Sequence, residues 1–253
     1  GSAAFARCES LERIDVNPNN TYYSSSDGVL FDKDKTILLT CPAKKTGEYT
    51  VPKSVTKIYP YAFSRCAGLT KITLPEGITE IRDYTFDTCT GLTNIELPSG
   101  VSSIGGYAFI SCKNLKSIVV PDSVTSIDYD AFFICYATIY GNENSQIQKY
   151  AKDNNLPFAL IPVNKSSISS TSVTLGDTVT LNALAENGVA PYSYAYSYKK
   201  ASDTRWITAQ DYSSSSSFVF RPDSTDTYNL CVKIKDSNGV ERRKIFTLGV
   251  YAQ

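Results

Sequence analysis

"YAFSRCAGLTKITLP", residues 61–75, sets a cysteine in a frame of aromatic, leucine and isoleucine positions. Alone, that cysteine could be a nucleophile, a metal ligand, half of a disulfide or packing. The frame recurs, and the recurrence decides. Phe63, Phe86, Phe109 and Phe132 are spaced by 23 residues, as are Cys66, Cys89, Cys112 and Cys135. Leu69, Leu92 and Leu115 follow three residues after the first three cysteines. Ile72, Ile95 and Ile118 come three later, and Pro75, Pro98 and Pro121 three later again. Ile78, Val101 and Val124, then Ile81, Ile104 and Ile127, complete the unit.

Such a period predicts a solenoid, because one unit cannot bury its apolar face alone and must stack on its neighbours. Equivalent residues then form ladders along the axis. The segments "KITLP", "NIELP" and "SIVVP" alternate and predict parallel strands, with Ile72 and Leu74 inward and Lys71 and Thr73 outward. The "YAF" triplet turns a corner. An earlier unit is longer. Ile14 and Val16 fit the slots of Ile72 and Leu74, and Tyr49 and Val51 fit them again, with "YYSSSDGVLFDKDKTILLTCP" between as a hairpin. "GSAAFARCESL" aligns with "GGYAFISCKNL", placing Gly1 and Ser2 in register, so the chain opens mid-repeat and further repeats are expected before it. After Cys135 the frame lapses. A helix is expected at about 144–155, capped by Asn144 or Ser145, with Ile147, Tyr150 and Ala151 on one face, closing the solenoid before a last strand in "LPFALIP".

These residues resemble the BspA-type leucine-rich repeat family over about residues 1–162, including the long hairpin-bearing unit and the terminal helix. The resemblance implies a leucine-rich repeat solenoid, mostly β, with parallel strands and short helical turns. It also implies a bacterial surface or secreted protein used in binding and adhesion, with no shared chemistry.

The cysteines then read as packing, since free Cys behaves as a small hydrophobe. Adjacent rungs lie roughly 4.8 Å apart, within the Cα range of a disulfide, but parallel Cβ vectors suit its torsion poorly. Cys8 is assigned to the same ladder, while Cys41 and Cys231 fall outside it.

Residues 163–253 lose the period and turn to short strands with turn signals, which predicts an Ig-like antiparallel β-sandwich. Asp226-x-Tyr228 resembles the tyrosine corner of such folds. Cys231 shares its side of a strand with Lys233 and Lys235 and has no partner cysteine within this segment. Tyr192, Tyr194, Tyr196 and Tyr198 share one face of one strand, with Trp206 on the next. They either stiffen a sandwich face or form a platform for sugar rings. The stretch resembles the triple-tyrosine Ig-like modules that follow BspA-like repeats, which implies a spacer.

Composition narrows the function. Lys+Arg and Asp+Glu are both 25, so no net charge points to nucleic acid. There is no run of 18 apolar residues to span a bilayer. Histidine and methionine are absent, which removes His-based triads, most zinc sites and an initiator residue. Asp27, Asp32, Asp34, Asp128 and Asp130 read as turn chemistry. Asp32 and Asp34 lack an EF-hand pattern, and Gly105-Gly106 is a repeat corner. No enzyme activity, cofactor or metal is expected. What remains is surface: Arg13, Asp15, Lys71, Thr73, Asn94, Glu96, Ser117 and Val119, the outward strand positions, in order. Mixed charges and hydroxyls suit a protein or peptide ligand, bound by an extracellular or cell-surface monomer whose signal and anchor lie outside this stretch. A carbohydrate-binding module and a passive spacer are the alternatives.

Overall fold

The computed structural model describes Ala4, Phe5 and residues 8–252. The register assigned to Gly1 and Ser2 lies outside the described residues. The chain divides into two units, one running to Leu160 and one starting at Ile161.

The first unit begins with a meander, β1 (Tyr23–Ser26), β2 (Val29–Asp32) and β3 (Ile37–Thr40). Short strands of two rows then alternate: β4 (Thr46–Thr50), β5 (Lys57–Ile58), β6 (Gly68–Thr73), β7 (Glu80–Ile81), β8 (Asn94–Glu96), β9 (Ser103–Ile104), β10 (Ser117–Val119), β11 (Ser126–Ile127) and β12 (Thr138–Gly141). Helix α1 (Gln146–Asp153) and β13 (Phe158–Leu160) follow. The first row is a parallel six-stranded sheet, ordered β4-β6-β8-β10-β12-β13, and the second row pairs β7, β9 and β11 in parallel.

The repeat explains this shape. Strands β4, β6, β8 and β10 each run out at a proline (Pro52, Pro75, Pro98 and Pro121), which has no N–H to continue the ladder. Val101 N–H then donates to Pro98 O at 3.1 Å and Val124 N–H to Pro121 O at 3.2 Å, turning the chain toward the second row. At the opposite corner the backbone goes left-handed at two slots per repeat. Tyr61, Tyr84 and Tyr107 have φ of 63, 56 and 55°, and Arg65, Thr88, Ser111 and Ile134 lie between 54 and 62°. Equivalent residues pair in register: Ile95 with Ile118, Ile118 with Ile139, and Tyr49 with Ile72. The interior slots of the regular repeats are buried in one continuous core, with Ile127 partly buried against it, and in that core Phe63, Phe86, Phe109 and Phe132 stack at 5.5, 5.2 and 5.3 Å.

Helix α1 sits at the end of that stack. Ser145 caps it, its side chain accepting from Gln148 N–H, and Ile147, Tyr150 and Ala151 are buried. The Tyr150 ring lies 5.7 Å from that of Phe132.

Two expectations about the first unit need correction. Ile14 and Val16 do not form a strand of the six-stranded sheet, whose edge is β4. Ile14 N–H instead donates to Gly28 O at 2.9 Å, beside the β1–β2 turn. A Cβ on Gly28, at φ +75°, would come within 3.0 Å of Arg13 Cβ, so glycine permits that approach. The meander takes the place of a regular turn, β3 pairing in parallel with β5 of the second row. Cys8 is exposed and stands apart from the buried thiols.

The second unit contains β14 (Val163–Asn164), β15 (Ser167–Ile168), β16 (Ser172–Thr174), β17 (Val179–Asn182), β18 (Ala185–Glu186), β19 (Ser193–Lys200), β20 (Ile207–Ser213), β21 (Ser217–Phe220), β22 (Thr227–Lys235) and β23 (Glu241–Tyr251). They form sheets ordered β15-β17-β21 and β16-β23-β22-β19-β20, with β14 and β18 as a separate pair. Val179, Leu181 and Phe220 from the first sheet share a core with Tyr196, Tyr228, Leu230, Val232, Leu248 and Val250 from the second. The pairing is not wholly antiparallel, since β16 runs parallel to β23. The chain switches sheets between Ile168 and Ser172, which brings β16 alongside β23 in that sense. The Tyr228 hydroxyl is held by Asp223 and by Ser224 Oγ in the turn before β22.

Candidate binding face

Alternation along each first-row strand sends every second side chain away from the core. On β4, β6 and β8 these outward residues are solvent-exposed: Glu48, Thr50, Lys71, Thr73 and Glu96, with Asn94 half-buried. They stand in successive rungs, Thr50 beside Thr73 and Glu48 beside Lys71. Lys71 Nζ lies 3.7 Å from Glu48 Oε2, with 60% and 72% of their side chains exposed. Such an exposed pair contributes at most about 1 kcal/mol, so both charges stay open to a ligand at little cost.

The face does not extend as expected at either end. Arg13 and Asp15 are exposed but belong to no strand, and they pair with each other through two hydrogen bonds of 2.7 Å. The Arg13 guanidinium holds the Asp15 carboxyl below its usual range. At the other end Ser117 and Val119 are 1% and 6% exposed, and Tyr140, paired with Val119, is fully buried. Strand β10 is therefore covered on both faces, which removes Ser117 and Val119 from a solvent-facing row. Asn94 Nδ2 donates to Ser117 Oγ at 2.5 Å, and this bond marks the edge of the open part.

Residues 41–156 match the family described as BspA type leucine rich repeat region, in six copies. No curated protein matches the chain. Solved structures similar to it include a leucine-rich repeat protein from Eubacterium ventriosum, 30% identical over 55% of this chain and 44% of that one, with a TM-score of 0.48. A leucine rich cell surface protein from Faecalibacterium prausnitzii is 27% identical over 60% and 47%, with a TM-score of 0.49. Pneumococcal vaccine antigen PcpA is 23% identical over 58% and 49%, with a TM-score of 0.42. The chain spans less than half the length of each of these.

The first unit carries a second surface that the strand-face reading missed. Tyr61, Tyr84 and Tyr107 stack outside the corner at 4.7 and 5.1 Å, and Phe133 meets Tyr107 edge-on at 6.3 Å. Beside them a groove of 370 Å³ runs over the second row, with Glu80, Arg82, Asp83 and Asp128 along it. Gly105 and Gly106 stand where neighbouring repeats have Arg82-Asp83 and Asp128-Tyr129, so one rung lacks side chains. Asp83 Oδ1 accepts from Gly106 N–H at 3.0 Å, and a Cβ on Gly105 would strike it at 2.3 Å. The doubled glycine was the available signal.

The repeat thiols face inward. Cys89 Sγ donates to Phe63 O at 3.0 Å and Cys112 Sγ to Phe86 O at 3.1 Å. Burial pushes the thiols of Cys89, Cys112 and Cys135 upward, which keeps them protonated and unreactive.

The tyrosine row of the second unit also faces inward. Tyr196 is 1% exposed, and Tyr194 and Tyr198 pack half-buried against the core. Tyr196 stacks on Phe218 at 5.3 Å and Tyr198 meets Phe220 at 4.9 Å. A sugar platform needs open ring faces, so these three do not supply one. Tyr192 and Trp206 are half-buried, Tyr192 donating to Asn187 O at 2.6 Å and Trp206 meeting Lys199 at 5.8 Å.

Proposed function

We propose that this chain is a non-enzymatic recognition piece of a bacterial surface or secreted protein. The solenoid binds a protein or peptide ligand through the outward residues of β4, β6 and β8, and the second unit, read as Ig-like, serves as a spacer. One observation carries the reading: Glu48, Thr50, Lys71, Thr73 and Glu96 form an exposed, mixed-charge face on a rigid parallel sheet. Stacked strands present such residues with little conformational freedom to lose on binding. The BspA-type repeat match supports it.

The test is charge reversal on that face. Lys71→Glu and Glu96→Lys should each weaken capture of a partner from bacterial or host surface extracts about tenfold, equivalent to roughly 1.4 kcal/mol. Lys152→Glu, on the exposed side of α1, should leave capture unchanged. Equal loss in all three variants, or in none, rejects the strand face as the binding surface.

A further inference from the structure

Cys41 was set apart because it breaks the spacing of the other repeat cysteines, yet it is 3% exposed and lies in the same core. Its backbone explains the difference. Phe63 N–H donates to Thr85 O, Phe86 N–H to Ala108 O, and Phe109 N–H to Ala131 O. Cys41 N–H donates to Ala62 O at 2.7 Å, and Ala62 is the repeat equivalent of Thr85. Cys41 therefore occupies the phenylalanine slot of the turn before Phe63.

Further up the stack, each repeat thiol addresses the carbonyl of the phenylalanine in the preceding turn, as Cys89 does with Phe63 and Cys112 with Phe86. Cys66 follows the same rule and addresses Cys41 O at 3.6 Å. Here the preceding slot holds a thiol instead of a ring. Both thiols also address one carbonyl oxygen, Pro42 O, Cys66 at 3.6 Å and Cys41 at 3.9 Å. Successive cysteines of the regular ladder stand side by side from identical slots. Cys41 and Cys66 come from different slots and converge.

We propose that Cys41 and Cys66 are a disulfide-forming pair, the one place among the described residues where two thiols of the stack converge from different slots, and that oxidation staples the meander-bearing turn to the first regular repeat. Both are free thiols in this structure. The reaction is thiol–disulfide exchange with a small-molecule disulfide. One thiolate attacks the external disulfide, forming a mixed disulfide and releasing one small thiol. The second thiolate attacks the protein sulfur of that mixed disulfide and releases the other. Two protein thiols and one external disulfide thus become one protein disulfide and two small thiols. An extracellular setting supplies such oxidants.

The experiment refolds the reduced full chain in a buffer of oxidised and reduced glutathione, so that burial does not limit access. Free thiols are then alkylated under denaturing conditions and the digest is mapped by mass spectrometry. The expected result is a linked peptide containing Cys41 and Cys66, absent after dithiothreitol, together with a higher melting temperature than that of the reduced protein. Cys41→Ala should abolish the link and the shift, and Cys89→Ala should preserve the link. Seven alkylated cysteines in the wild-type chain, or a link between other cysteines such as Cys66 and Cys89, overturns the assignment without reliance on any variant folding.

Discussion

Leu92 is fully buried, held between turns of the stack by its neighbours in the core. Leu92→Ala should cost about 2–5 kcal/mol, the lost transfer energy plus a cavity that rigid rungs cannot collapse to fill. Lys71→Ala, on the exposed side of the same sheet, should stay within about 0.5 kcal/mol. Urea unfolding of the two variants checks the contrast, and similar midpoints would mean that inward and outward slots are misassigned. Ile134 tests the corner geometry. It is β-branched, 42% exposed and held at φ 54°, a conformation that costs an ordinary L-residue roughly 1–2 kcal/mol. Asparagine tolerates that region, so Ile134→Asn should raise the urea midpoint.

Helix α1 shows how one element closes the stack. A parallel solenoid has no partner for its last turn, and an exposed end leaves core side chains wet. The amphipathic face of α1 supplies the missing contacts, with Tyr150 against Phe132 and its hydroxyl donating to Tyr129 O at 2.8 Å. Removing its N-cap by Ser145→Ala should cost about 1 kcal/mol. Local opening should then appear first in hydrogen exchange at residues 146–153, before the regular repeats exchange. Equal protection in both proteins would show that packing alone holds the helix. This element was legible because its cap, period and position after the lapse of the frame all agreed. The inward turn of the tyrosine row was not. Alternation shows that Tyr194, Tyr196 and Tyr198 share a face, but period two cannot say which face meets another sheet. Phe218 and Phe220, distant in sequence, decide that.

At the scale of the whole molecule, the pH profile follows from what the chain lacks and what it buries. With no histidine, no imidazole titrates between about pH 5 and 8, so stability should be flat there. The folded-state values of the buried groups lie above their ordinary ones. The thiols of Cys89, Cys112 and Cys135 start from 9.0, and burial raises all three. Tyr150 and Tyr196 start from 10.0 and are pushed up to about 12, again mainly by burial. A raised folded value means the folded state holds its proton more tightly. That stability is complete below the unfolded value and is lost as pH rises toward the folded one. Urea midpoints should therefore begin to fall above about pH 9 under reducing conditions, by up to about 1.4 kcal/mol per pH unit for each such group. An unchanged midpoint well above that pH would contradict the buried placement of these side chains.

A spacing of 23 residues settles the stacking, the in-register pairing of Ile95, Ile118 and Ile139, and the inward row of phenylalanines and thiols. Those features follow from backbone geometry repeating against itself, which any reader of the period recovers. The outward row is another matter. Lys71, Thr73 and Glu96 are open while Ser117 and Val119, in the same slots, are covered. The valine in "SIVVP" hinted at that change, but Ser117 gave no sign. Cys41 likewise broke the numerical pattern and still took a ladder slot, because hydrogen bonding to Ala62 fixed its place where counting residues across an insertion could not. Periodicity is a property of neighbours along the chain. Exposure, and which groups converge, depend on partners brought together only by the folded whole.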